Sequence, residues 1–295
     1  MPTLKKLEFL NYSNLIFIMT LKDKLKDKIY KKKLKLVPSS FDILGSKKKS
    51  VAIIDIPDEL KEEKEVIAQA IMDEHKNVKS VLNKKSKRKG KFRLRDYEVI
   101  KGVKNTTVVH KENGYKLFLD PKKTYFSTRE GTERERIIKK VKKDENVMVF
   151  FAGAGPFAIA IGKHTKAKNI VGIELNPDAI KYFKENVKLN KLDNVKVVEG
   201  DVKVHSPKYY KTMDRVLMPL PESSEHFIKD AIKCLKENGI CHYYCVCTKE
   251  ELKEEKQKIK NAGKVMGRKI EILGEKEITQ WGPSIYKMRI DFEVK

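Results

Sequence analysis

Asn146-Val-Met-Val-Phe-Phe-Ala-Gly-Ala-Gly-Pro-Phe157 runs from an apolar strand through a glycine turn into the helical stretch PFAIAIGKHT, and its reading decides the fold of the second half of the chain. Glycines in such a turn let backbone amides approach a ligand, and the helix N-terminus that follows favours negative charge. Downstream, NIVGIEL, PDAIKYFKENVKLN, VKVVEGD, DRVLMPLP, SEHFIKDAIKCLKENG and ICHYYCVC alternate between strand and helix patterns with short connections. That alternation predicts an α/β, Rossmann-like domain: a mostly parallel sheet covered on both faces. The final segments, KVMGRKIEILGEKEITQ and SIYKMRIDFEVK, read as a closing antiparallel pair.

Upstream of this unit, which is expected to span 126–295 and to open with the helix TERERIIKKVKK, the pattern changes. Thr20 to Lys35 is helix-compatible and heavily charged, and Val37-Pro38 ends it because proline disfavours helix at the residue before it. A strand in SVAIIDIP, a helix in ELKEEKEVIAQAIMDEH and strands in KNVKSVLNK, RDYEVIKG and TTVVHKENGYKLFLD follow, with Asn113-Gly114 as a hairpin turn. Residues 19–125 are therefore expected to form a small α+β domain, packed tightly on the larger one because no Gly/Ser linker separates them. The basic run KKSKRKGKFR reads equally as a phosphate-touching loop and as a charged turn. Residues 1–18 read as an appendage; their apolar stretch, Leu15 to Met19, is too short to span a membrane and lacks a small-residue cleavage site.

Sixty-five Lys+Arg against 41 Asp+Glu give a formal charge of +24, which makes nucleic acid the leading partner on charge alone. A lysine-rich solvated surface is the bland alternative. The four cysteines, Cys234, Cys241, Cys245 and Cys247, lack a second Cys/His cluster at ligand spacing, so buried thiols in a reducing cytoplasm are expected and no metal.

Gly153, Gly155 and Ala158 also satisfy the dinucleotide fingerprint, with Glu174 about 20 residues on, so a nicotinamide enzyme stays open. Three features favour S-adenosylmethionine. Glu174, in IELNPDAI, has a carboxylate able to accept both ribose hydroxyls, and Asp201, ending VVEGD, is placed to receive an adenine amino group. Met218-Pro219-Leu220-Pro221 ends the fourth strand, where a transferred group and its acceptor would meet.

The chain resembles the archaeal-eukaryotic type tRNA (guanine-37-N1) methyltransferases over about residues 36 to 290. The resemblance rests on SFDILG with IIDIPDEL, FRLR, YFSTREGTERERI, FAGAGPF, IELNPDAIKYFKENVKLNKL and HYYCV. It implies a class I methyltransferase that moves the methyl of S-adenosylmethionine to N1 of the guanosine 3′ of the anticodon, gripping the anticodon stem-loop with help from the small domain. It further implies Glu133 as general base and Arg93 as the group that stabilises guanine O6, with Arg95 as the alternative. Tyr125 and Pro221 would face the target base. Arg129, Phe151, Gly153, Gly155, Phe157, Glu174, Leu175, Asp201, Val202 and Pro219 would surround the cofactor. Read without the resemblance, Glu133 is an acid in a first helical turn, suited to the helix dipole. Two positions depart from the family pattern: Val149 replaces an acid before the turn, and Pro219 replaces the asparagine of Asn-Leu-Pro. The resemblance also leaves related readings open: transfer of an aminocarboxypropyl group, methylation of a tricyclic wybutosine precursor, or RNA binding without chemistry. A cytoplasmic monomer without the extra N-terminal domain of some members is expected.

Overall fold

The computed structural model describes residues 20–295; the expected appendage and the stretch Leu15 to Met19 lie outside the described residues. The large sheet is built on β7 (Asn146–Phe150), β8 (Asn169–Glu174), β9 (Val195–Glu199), β10 (Met213–Met218) and β11 (Leu235–Cys247), all parallel. The antiparallel pair β12 (Ile270–Gly282) and β13 (Ile285–Val294) completes it, giving the order β12-β13-β11-β10-β7-β8-β9. Order reverses between β7 and β10, so the crevice at their carboxyl ends is the switch point where open α/β sheets bind ligands. α4 (Gly131–Ile138), α5 (Pro156–His164), α6 (Pro177–Leu189), α7 (Val202–His205), α8 (Ile228–Cys234) and α9 (Leu252–Val265) accompany the strands.

The antiparallel closing pair and the strand–helix alternation match the sequence expectation, with two local corrections. The segment SEHFIKDAIKCLKENG is helical only as far as Cys234; Leu235 already belongs to β11, and the register against β10 slips between Met213 and Arg215, with Asn238 at φ 58. An asparagine tolerates that left-handed geometry, so KENG forms an irregularity within the strand instead of a last helical turn. The charged run before Val265 is a helix, α9, which shows the sheet only Glu255, Ile259, Ala262 and Gly263.

The small domain carries α1 (Leu21–Leu25), α2 (Lys31–Leu34), α3 (Lys64–Glu74) and a four-stranded sheet of β1 (Asp42–Gly45), β2 (Ser50–Ile54), β3 (Val78–Lys84) and β4 (Tyr97–Gly102). Thr20–Lys35 is thus two short helices, not one. Alternate residues of β2 face opposite sides: Ala52 and Ile54 join a core with α1 and α3, whereas Val51 packs with the large domain. The two domains therefore share a core. The hairpin β5 (Val108–Glu112) and β6 (Tyr115–Leu119), turning at Asn113-Gly114, buries Val108, Leu117 and Leu119 in that shared core. Asn186 on α6 and Asn190 at its C-cap grip the backbone of Phe118 and Lys116, each accepting from the amide and donating to the carbonyl. The hairpin is thereby fastened to the large domain, while β5 also meets the small one, the Gly45 amide donating to His110 Nδ1.

Phe183 fixes the angle at which α6 meets the sheet. A Cβ added at Gly155 would lie 2.2 Å from its ring, and one at Gly172 would lie 2.4 Å away. Behind the sheet, Arg215 is fully buried, bidentate to Glu145 at 2.8 Å, and donates to His242 Nε2 at 2.7 Å. With Nε2 accepting, His242 Nδ1 carries the hydrogen and donates to Asp291 at 2.6 Å, which is the neutral ring. Among the described residues no helix is long and apolar enough to cross a membrane.

Gly172→Ala should lower stability by about 1–3 kcal/mol in urea unfolding, with part of the loss recovered by adding Phe183→Leu, because overpacking at this notch is the cause. Burial pushes the His242 pKa down to about 4 against the pull of Asp291. Between that value and the unfolded value of about 6.5 the unfolded ring takes up a proton that the folded one refuses. Stability should therefore rise with pH across this window, by on the order of 3 kcal/mol at most, and His242→Gln should flatten the slope.

Candidate active site

At the switch point lies a cavity of about 370 Å³, within the ordinary range for small-molecule sites. The β7–α5 turn forms its floor. Gly153 (φ 58) and Gly155 (φ 84) adopt the left-handed conformation that glycine accepts without cost, and Phe151 shares it at φ 54. Glu174, at the end of β8, accepts from the Gly153 amide through Oε2 and from the Asn176 amide through Oε1, both at 2.7 Å. Burial pushes its carboxyl above the usual range, opposed by those amides. A carboxylate oxygen can accept more than one hydrogen bond, so Glu174, which lines the cavity, keeps accepting capacity suited to a pair of ribose hydroxyls. Asp201 caps α7 by accepting from the Lys203 amide at 2.8 Å. Phe151, Leu175, Val202 and Phe227 give this half of the cavity an apolar wall, the two phenylalanines meeting edge-to-face at 4.8 Å. An adenosine-type ligand fits these features: an apolar wall with aromatic rings on one side and the Glu174 and Asp201 carboxylates beside it.

The other half is lined by both domains. The basic run predicted as a loop connects β3 and β4 and contributes Arg88, Lys91, Phe92 and Arg93 to the wall. Arg88 stacks on the Tyr125 ring at 4.1 Å and lies 5.8 Å from Trp281. Arg93, at φ 53, reaches across to Glu222 in the loop after β10. Tyr125 donates to Glu130 Oε1 at 3.0 Å, and the fully buried Lys287 donates to the same oxygen at 2.8 Å. Burial and the Glu130 charge push the Tyr125 phenol up.

Of the residues singled out in the sequence, Arg93, Tyr125, Phe151, Gly153, Phe157, Glu174, Leu175, Asp201, Val202, Pro219 and Pro221 line this cavity. Four do not. Gly155 lies beneath the turn as N-cap of α5. Arg129 is exposed and pairs with Asp42 of the small domain at 3.0 Å, so it bridges domains and does not meet the cavity. Arg95 lies outside the wall with its Nε buried and without a hydrogen-bond partner. Glu133 is 1% exposed, its Oε1 accepting from Tyr244 at 2.6 Å and from Arg289 at close range. One helical turn separates it from Glu130, and that turn decides which carboxylate meets the cavity. Glu130, Glu222, Arg88 and Trp281 escaped the sequence reading. Two of them carried a signal there: Arg88 lies in the basic run KKSKRKGKFR, and Glu130 one turn from Glu133 in YFSTREGTE.

The profile of the TRM5/TYW2 methyltransferase domain matches residues 108–273, and that of the TYW2 N-terminal domain matches 21–106. The chain belongs to the TRM5/TYW2 methyltransferase family. It is 40% identical to the tRNA (guanine(37)-N(1))-methyltransferase Trm5b of Pyrococcus abyssi over 88% of this chain and 76% of the relative. The crystal complex of aTrm5 with tRNALeu superposes with a TM-score of 0.80 at 32% identity, covering 94% of this chain and 78% of that one. Pyrococcus horikoshii TYW2 in complex with MeSAdo superposes with a TM-score of 0.79 at 29% identity, covering 93% and 97%. The two profiles meet between residues 106 and 108.

Glu174→Ala removes a carboxylate that binds two turn amides as well as facing ligand space. It should lower both thermal stability and adenosine-ligand affinity, the latter at least about tenfold in a calorimetric titration.

Proposed function

We propose that this protein is an S-adenosylmethionine-dependent tRNA methyltransferase that modifies N1 of guanosine 37, beside the anticodon. The observation that carries the reading is the two-part cavity: an adenosine-shaped half on the large sheet opens into a half walled by basic and aromatic side chains from both domains. The relative named for this activity, 40% identical over most of both chains, supports it, and so does the formal charge of +24. Four buried free thiols are consistent with action in a reducing cytoplasm, and we take the acting form to be a monomer bound to the anticodon stem-loop.

Bound adenosylmethionine supplies an electrophilic methyl on a sulfonium sulfur. The chain must then orient the base, take the N1 proton and stabilise charge developing on O6. Arg93, a guanidinium facing the cavity, is assigned to O6. Tyr125 and Pro221 flank the space for the base, and Tyr125 is held flat by Arg88. For the proton, the resemblance names Glu133 and the geometry favours Glu130. Both carboxylates keep an Oε2 without a hydrogen bond among the described residues, but Glu130 lines the cavity whereas Glu133 is enclosed by Tyr244 and Arg289 and does not line it. As N1 gives its proton to that carboxylate, the N1 electron pair forms the bond to the methyl carbon. The carbon–sulfur bond breaks with its electrons left on sulfur.

Removing one partner of a buried ion pair costs about 3–5 kcal/mol, so an alanine at 133 would confuse folding with catalysis. The test therefore uses glutamines, with tRNA transcripts bearing guanosine or adenosine at position 37 and nucleoside analysis of the product. Wild-type protein should form N1-methylguanosine on the first transcript only. Glu130→Gln should lower the rate by about 10²–10⁴-fold with adenosylmethionine affinity held within a few-fold, and Glu133→Gln much less. The reverse order would return the role to Glu133; a product other than N1-methylguanosine would redirect the reading to the wybutosine-type reactions.

A further inference from the structure

Glu222 follows Pro219, Leu220 and Pro221 in the loop after β10 and lines the cavity with 43% of its side chain exposed. Its hydrogen-bond partner among the described residues is Arg93, whose two terminal nitrogens donate to its two carboxylate oxygens, one of them at 2.6 Å. The other carboxylates in the wall are each also held by a group of their own surroundings. Glu174 accepts from two backbone amides, Asp201 caps α7, and Glu130 holds Lys287. The Arg93–Glu222 pair is different in kind, because both partners face ligand space and neither is tied to its own element. It joins the basic loop of the small domain to a loop of the large one. A partly exposed pair of this sort adds little to stability, so its exchange for a ligand is easily offset. The two prolines fix φ on either side of Leu220 and carry no amide hydrogen, so Glu222 is presented by a stiff stretch that itself offers few donors.

We propose that Arg93 and Glu222 together read the Watson–Crick edge of the target base, Arg93 donating to guanine O6 and Glu222 accepting from the 2-amino group. The inference rests on the guanosine reading above and adds a specificity-determining residue to it. Along its edge guanine presents an acceptor at O6, a donor at N1 and a donor at the 2-amino group. A guanidinium matches the first and a carboxylate the last. O6 and the 2-amino group flank N1, so opening the pair around the base leaves N1 clear between them for loss of its proton and entry of the methyl. Adenine inverts the match: its 6-amino donor faces the guanidinium, and its C2–H offers the carboxylate nothing. A site built to pair with a polar group rejects the analogue that lacks it, because its own charged groups are left without partners. A tricyclic base with N2 drawn into a third ring has no exocyclic amine and fails at Glu222 in the same way.

Inosine differs from guanosine only by the missing 2-amino group, so the decisive experiment compares anticodon stem-loops with guanosine or inosine at position 37. Methylation rates would be measured for wild type, Glu222→Ala and the near-isosteric Glu222→Gln, with adenosylmethionine affinity titrated for each as a check on folding. Wild type should prefer guanosine in kcat/KM by about 10- to 100-fold, the worth of a hydrogen bond to a charged group. Glu222→Ala should erase most of that preference by slowing guanosine while leaving inosine nearly unchanged, and Glu222→Gln should fall between. Equal slowing of both substrates, or a wild type indifferent to the 2-amino group, would overturn the assignment while leaving the methyltransferase reading intact. A wild type that binds adenosylmethionine and methylates neither base would instead remove the guanosine reading itself, and this inference with it.

Discussion

The ring of Phe183 against Gly155 and Gly172 is the contact on which the rest of the site depends. Two missing side chains, one in the turn after β7 and one in the middle of β8, open a notch that a phenyl ring fills. Filling it presses α6 onto the sheet and holds the glycine turn from below, where the Gly153 amide donates to Glu174 and the Gly155 amide to the Ala152 carbonyl. Asn186 on the same helix and Asn190 at its C-cap fasten the β5–β6 hairpin, and Asn176 at its N-cap donates to the Lys123 carbonyl in the segment after it. That segment contains Tyr125 and Glu130. A close approach beneath the cofactor turn therefore also sets the wall opposite it.

A second constraint runs along β13. Lys287, Arg289 and Asp291 alternate onto one face of the strand, where they meet Glu130, Glu133 and His242 in turn. Each buried charge has its counterpart, which is the condition under which such groups are tolerated inside a protein. The ladder explains why Glu133 is held so firmly: it answers a guanidinium in the interior. It also explains why Glu130, at the end of the ladder nearest the cavity, shares Lys287 but keeps an oxygen for other use.

The architecture was legible because its signals are local. Strand and helix periods, the glycine turn and the acids ending successive strands all follow from residues near one another in sequence, and Glu174 and Asp201 lie in the cavity wall. What was not legible depends on pairs far apart in the chain. The partner of Arg129 is Asp42, that of Arg93 is Glu222, and that of Glu133 is Arg289. Whether a helical acid faces a cavity or a strand behind it turns on about 100° of rotation per residue, and the sequence alone does not say where the strand lies. The helix α9 was missed for a related reason: its buried stripe is four residues wide in a run of lysine and glutamate.

The chain contains one tryptophan, and it stands at the mouth of the cavity beside Arg88. Indole emission responds to the polarity and charge around the ring. The molecule thus carries its one indole at the point where both domains and an incoming nucleic acid converge, with no second indole to dilute what it reports. Occupancy of this site is, in effect, already written in the light the protein emits.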